Sequence, residues 1–245
     1  MLAYLKDFII DALYLLPGII LALTIHEYAH AFVSTKLGDP LPKATGRLSM
    51  NPARHIDPIG FLMLFLVHFG WAKPVHVDPR YYKNKKLGMS LVALAGPIAN
   101  LLTAFILTAL AMFVAVRYNV RLFDGQTGTY MTVLLVIYQL LTLAISLNIG
   151  LAIFNLIPIS PLDGSKILAA FLPMRAYQKV LQYERYGFIV LIVLLFDLPG
   201  RFLNILHVSS SITKWVDLSY YLNIARAFVI NLFHEVLEPL FELFL

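Results

Sequence analysis

Thr24-Ile25-His26-Glu27-Tyr28-Ala29-His30 lies inside an apolar run that begins near Phe8 and continues to Val33. On a helix, His26 and His30 fall one turn apart on one face, a spacing that holds two corners of a zinc tetrahedron. Glu27 stands beside the first of them, where a carboxylate can take the proton from an attacking water. A soluble metalloenzyme would place such a helix in an aqueous cleft. Here lipid is expected, and ionisable residues inside a membrane segment are costly enough to mark function.

Composition supports the membrane setting. The 245 residues are 60% hydrophobic and 13% charged, with a mean hydropathy of +0.77. Ordinary soluble domains are about 45–50% apolar and about 25% charged. The net charge of +5 comes with no basic stripe interleaved with aromatics, so a nucleic-acid partner is not expected. There is no cysteine; a metal would have to be held by His and carboxylates. The start of the chain has no basic segment followed by a small-residue cleavage site and is expected to stay as the first span.

Five hydrophobic blocks organise the chain. The first, Phe8 to Val33, carries the motif, with Pro17 as a kink or helix start. The second, Ile59 to Trp71, is shorter than the roughly 20 residues of a span and reads as a re-entrant element. Leu87 to Val116 and Met131 to Ile157 read as full spans. Gly187 to His207 is interrupted by Asp197, Pro199 and Arg201 and is expected to be a span of lower quality, or one that ends near Asp197. The flanks of the second block read as non-helical backbone beside a wet cavity, Arg47–Asn51 as a short strand or turn and Ala72–Lys86 as an extended piece or hairpin.

The fold expected is an all-α polytopic membrane protein. Blocks one, three and four form a three-span core, joined by further membrane or interfacial helices and short extended or β segments near the site. Residues 1–208 form the membrane domain. Residues 209–245 form an amphipathic, interfacial helical tail. If the second block re-enters, the loops after blocks one, two and four share a side and hold 13 of the 19 Lys and Arg residues. By the positive-inside rule that side is cytoplasmic, and the motif sits a few turns below it.

Two His leave a catalytic zinc one protein ligand short. The candidate is Asp163 in Asn155-Leu156-Ile157-Pro158-Ile159-Ser160-Pro161-Leu162-Asp163-Gly164, where two prolines forbid a regular helix and Gly164 permits an unusual backbone angle. Alone, Asp163-Gly164 reads as a turn after a span; beside an intramembrane HExxH motif, the ligand reading prevails.

These motifs together resemble the site-2 protease family of intramembrane zinc metalloproteases. Gly46-Arg47, Asn51-Pro52, His55, Asp57-Pro58, Gly60, Trp71-Ala72-Lys73-Pro74-Val75 and Ala95-Gly96-Pro97-Ile98-Ala99-Asn100 are similar to its compact prokaryotic branch without PDZ or CBS domains. The likeness covers roughly residues 16 to 195; His76 stands where a proline is expected, and the tail after Ser209 has no counterpart.

The resemblance implies a zinc endopeptidase in the cell membrane, cutting in or near the transmembrane segments of single-span membrane-protein substrates. It implies His26, His30 and Asp163 as zinc ligands, Glu27 as general base and Asn155 as the residue holding the substrate backbone or the developing oxyanion. His55 and His68 are possible supporting residues. Gly96, Pro97 and Asn100 are assigned to close helix packing. Three other readings stay open: an inactive binding or chaperone-like homologue, a membrane zincin whose third ligand is a Glu or His, and a metal transporter.

Overall fold

The computed structural model describes residues 2–67, 70–118, 129–205 and 217–242. The order of elements is α1 (Leu2–Lys36), α2 (Leu41–Ala44), α3 (Pro58–Val67), α4 (Lys85–Tyr118), α5 (Thr129–Asn155), α6 (Asp163–Phe171), α7 (Met174–Leu195), α8 (Leu198–Ile205) and α9 (Leu218–Glu242). Single 3₁₀ turns occupy Pro52–Arg54 and Pro79–Tyr81.

Three of these helices are long and apolar enough to cross a membrane: α1 from Ile9, α4 and α5. Each has at least 27 residues, about 40 Å at 1.5 Å per residue, against a hydrocarbon core of about 30 Å. They pack on one another in all three pairings. Small residues set the spacing. A Cβ on Gly18 would stand 2.9 Å from Leu147 Cδ1, and Ala104 of α4 is completely buried against Ile149 of α5. Without a hydrophobic drive between helices in lipid, such close backbone approach is a main source of association. The opposite face of α4 carries Leu91, Ile98, Leu102, Ile106 and Phe113, all exposed, as a lipid-facing stripe requires.

The second block forms α3 and returns. Asp57 Oδ1 accepts from the N–H groups of Ile59 and Gly60, starting the helix. Ala72 then pairs antiparallel with Ile56, and the Lys73 N–H donates to the His55 carbonyl at 2.8 Å. The chain therefore leaves and returns at one level, and a Cβ on Gly60 would collide with the Trp71 carbonyl at 2.2 Å. The extended segments expected around it amount to that one bridge; no strand is present among the described residues. The N–H groups of Arg47 and Leu48 close turns onto the Pro42 carbonyl. Pro52 and Pro79 start 3₁₀ turns, and prolines cannot donate to a ladder.

The fifth block supplies α7, which ends at Leu195 beside Asp197, a residue with φ +47°. The tail helix α9 packs on the core: Phe233 meets Phe105 edge to face at 5.2 Å, and Arg226 Nη1 donates to Ser146 Oγ at 3.0 Å. Since α3 returns, the C-terminal end of α1, the start of α4 and the end of α5 lie at one end of the bundle, where the candidate site is built.

Candidate active site

Helix α1 presents Ala22, His26 and His30 as one stripe at four-residue spacing, and α4 runs antiparallel beside it with Val92, Gly96 and Asn100. The two stripes meet rung by rung. His30 Nδ1 donates to the Val92 carbonyl at 2.7 Å. Gly96 faces both imidazoles: a Cβ there would stand 2.6 Å from His26 Cε1 and 2.7 Å from His30 Nε2. One turn deeper, His26 Nδ1 lies 2.7 Å from Asn100 Oδ1. The rings are perpendicular, with centroids 4.6 Å apart. Their Nδ1 atoms are thus engaged, and both Nε2 atoms are turned to one point.

Asp163 completes that point. The chain leaves α5 at Asn155 and re-forms a helix at Asp163, whose Oδ2 lies 3.2 Å from His26 Nε2 and 3.2 Å from His30 Nε2. Gly164 does not supply the unusual backbone angle expected of it; among the described residues the positive-φ glycines are Gly38 and Gly46. It is needed for closeness instead, since a Cβ would sit 2.2 Å from the Leu156 carbonyl oxygen.

Among the described residues, His26, His30 and Asp163 form the one group of three that could hold a metal ion. Two ligands at about 2.0–2.2 Å from one tetrahedral ion stand about 3.3–3.6 Å apart, close to the 3.2 Å separations seen. Both imidazoles have their second nitrogen engaged, as metal-bound histidines do. Two imidazole nitrogens and one carboxylate, all buried, are the donor set of a catalytic zinc site that leaves a fourth position open. The residues fit the ion.

A cavity of about 170 Å³ opens onto these atoms. Glu27 lines it, and its Oε2 accepts from the Val75 N–H at 3.0 Å. Pro74, Val75 and Val77 thus line the cavity beside Glu27. Asn155 also lines the cavity, its Nδ2 donating to the Leu151 carbonyl one turn back. Lys166 adds a cation, with Nζ 3.6 Å from Asp163 Oδ1. Completely buried, His55 stands outside the ligand group and donates from Nε2 to the Ser49 carbonyl at 2.6 Å, pinning the loop that precedes α3. His68 lies outside the described residues.

Sequence reasoning missed the Val75 N–H, Lys166 and the direct part played by Gly96 and Asn100. For the last two a signal existed: positions 92, 96 and 100 repeat the four-residue spacing of 22, 26 and 30.

Residues 14–198 match the family model described as Peptidase family M50. Over 227 residues the chain is 35% identical to "Putative zinc metalloprotease YwhC" of Bacillus subtilis (strain 168), covering 93% of this chain and 94% of that one. It is 26% identical over 200 residues to "Putative zinc metalloprotease Rip2" of Mycolicibacterium smegmatis, covering 79% of this chain and 69% of that one. The protein of the same name from Mycobacterium tuberculosis (strain H37Rv) is 27% identical, with coverage of 78% and 71%. No solved structure gives a significant match.

Proposed function

The chain belongs to peptidase family M50, and on that premise we propose that it is a zinc-dependent endopeptidase hydrolysing peptide bonds in or near the transmembrane segments of other membrane proteins. The observation that carries the reading is the convergence of His26, His30 and Asp163 at the same end of three membrane-length helices, with Glu27 on the same cavity. The names of the relatives agree with it.

His26, His30 and Asp163 would hold the zinc. When bound, zinc polarises a scissile carbonyl and lowers the pKa of a water to about 7. Glu27 takes the proton of the attacking water and returns it to the leaving amine. Asn155 turns its amide from the Leu151 carbonyl toward the substrate, where one donor to a developing oxyanion is worth about 2.7–4 kcal/mol. The substrate segment unwinds locally, because a helical peptide bond keeps its carbonyl in hydrogen bonds. The non-helical Pro74–Val77 segment on the cavity would be the edge beside which it lies. The membrane is the cell membrane, with the site near its cytoplasmic face and regulated intramembrane proteolysis as the process served.

The test is cleavage of a panel of single-span substrates in liposomes by wild type and Glu27→Gln, with zinc measured in both. Wild type cuts and Glu27→Gln holds one zinc without cutting if the reading is right. A wild type without zinc would overturn it.

A further inference from the structure

Asn100 and Asn148 are both completely buried between the spanning helices, where a polar side chain is expensive unless it is satisfied. Their hydrogen bonds form one directed chain. Asn148 Nδ2 donates to the Ala144 carbonyl at 2.8 Å, which turns Asn148 Oδ1 toward α4. That oxygen accepts from Asn100 Nδ2 at 2.8 Å, and the same nitrogen donates to the Ala22 carbonyl at 3.0 Å. Both amide protons of Asn100 are thereby committed. Its Oδ1, 2.7 Å from His26 Nδ1, can only accept.

From this chain we infer that Asn100, held by Asn148, is a positioning residue that fixes the tautomer and ring angle of His26, keeping the proton on Nδ1 and the lone pair of Nε2 aimed at the metal. The alternative amide orientation would set Asn100 Oδ1 against both the Ala22 carbonyl and Asn148 Oδ1, and its N–H against the ring, so the network selects one arrangement. The two histidines differ in this respect. His30 is oriented by a main-chain carbonyl of α4, which no substitution removes. His26 is oriented by side chains from α4 and α5, so the ligand geometry on α1 depends on the packing of all three spans.

The inference rests on the metal reading above, but it concerns metal binding and is tested without proteolysis. Purified wild type, Asn100→Ala, Asn100→Asp and Asn148→Ala would be titrated with zinc against a competing chelator. Cobalt(II) absorption would report ligand geometry, and selective ¹⁵N NMR the His26 tautomer. Loss of such an outer partner weakens metal binding about 10–100-fold. That is the fall expected for Asn100→Ala, with altered cobalt bands.

Asn100→Asp keeps an acceptor for Nδ1 but sets its second oxygen against the Ala22 carbonyl and Asn148 Oδ1, so it recovers only part of the affinity. Asn148→Ala, which touches no ligand, falls between and shows His26 in mixed tautomers. Should Asn100→Ala not fold, Asn148→Ala carries the test. Zinc affinity within twofold of wild type and unchanged cobalt bands in the folded variants overturn the inference. Absence of metal binding in wild type would instead overturn the function proposed above.

Discussion

Gly96 and His26 meet so closely that a β-carbon at position 96 would stand 2.6 Å from the ring Cε1. The same atom would stand 2.7 Å from His30 Nε2, one of the three converging donor atoms. Real side chains do not tolerate such distances, so Gly96→Ala must push both rings off their common point. The variant is expected to retain its helices but bind zinc well below one equivalent and lose cleavage. Gly150→Ala is the control, because its Cβ meets nothing within 4 Å. Zinc by mass spectrometry on both purified variants decides it; full zinc occupancy in Gly96→Ala would rule this account out.

The Val75 N–H is the donor that holds Glu27 Oε2. Proline at 75 deletes the donor, whereas alanine keeps it. A hydrogen bond to a charged group contributes about 1.5–3 kcal/mol, so Val75→Pro is expected to lower kcat by roughly tenfold or more. Zinc content should stay at the wild-type level, and Val75→Ala should cut normally. Equal activity in the proline and alanine variants would show that the segment does not orient the base.

His26, His30 and the three spans are readable from the sequence because each rests on local periodicity: four-residue spacing for the ligands, uninterrupted apolar length for the helices. The meeting of Asp163 with His26 spans 137 positions, and the residues alone leave it as readily a turn; the resemblance tips the choice. The Ala72–Lys86 segment misleads, since Pro-rich composition does not distinguish ladder pairing from 3₁₀ turns; at Arg47–Asn51 the turn alternative is the one realised. Asn100 does serve helix packing, through hydrogen bonds to Ala22 and Asn148, but its contact with His26 is set by a neighbouring helix that no local pattern names. Gly164 is misread for the complementary reason. Glycine signals either freedom or closeness, and closeness depends on the Leu156 carbonyl that loops back over it.

Asp39 fastens the end of α1 to the segment entering α4. Almost fully buried, it accepts from Ser34 Oγ, the Asp78 N–H and the Leu41 N–H, all within 2.9 Å. Asp39→Ala leaves the buried Asp78 N–H without a partner, at about 1–3 kcal/mol, and removes one of the two side-chain bonds of Ser34. A large fall in the denaturation midpoint is expected, with the α1–α4 register and hence zinc binding weakened in step. A midpoint equal to wild type would contradict it.

Next to it, hydrogen bonds from the largely solvent-exposed Arg80 hold the Asp78 carboxyl below the usual carboxylate range. A depressed folded-state pKa adds stability that is complete above the unfolded value of about 3.9 and drains away as pH falls through the folded value. Wild type should therefore denature later than Asp78→Asn at pH 7, with the gap closing below about pH 3.9. A gap that is constant from pH 7 to pH 3 would assign the difference to something other than ionisation.

Zinc itself should act as a cross-link between α1 and the α5–α6 junction, because its proposed ligands come from both. A ligand bound only by the folded state stabilises it by RT ln(1 + [L]/Kd), about 4 kcal/mol at a thousandfold excess over Kd. Thermal scans in detergent should show a higher midpoint for wild type with zinc than after chelation, reversed on adding zinc back. Glu27→Gln keeps the three ligands and should keep the shift. His30→Ala removes one ligand and should lose it. A shift of the same size in His30→Ala would mean that zinc acts elsewhere on the chain, and the assignment of His26, His30 and Asp163 as its ligands would fall.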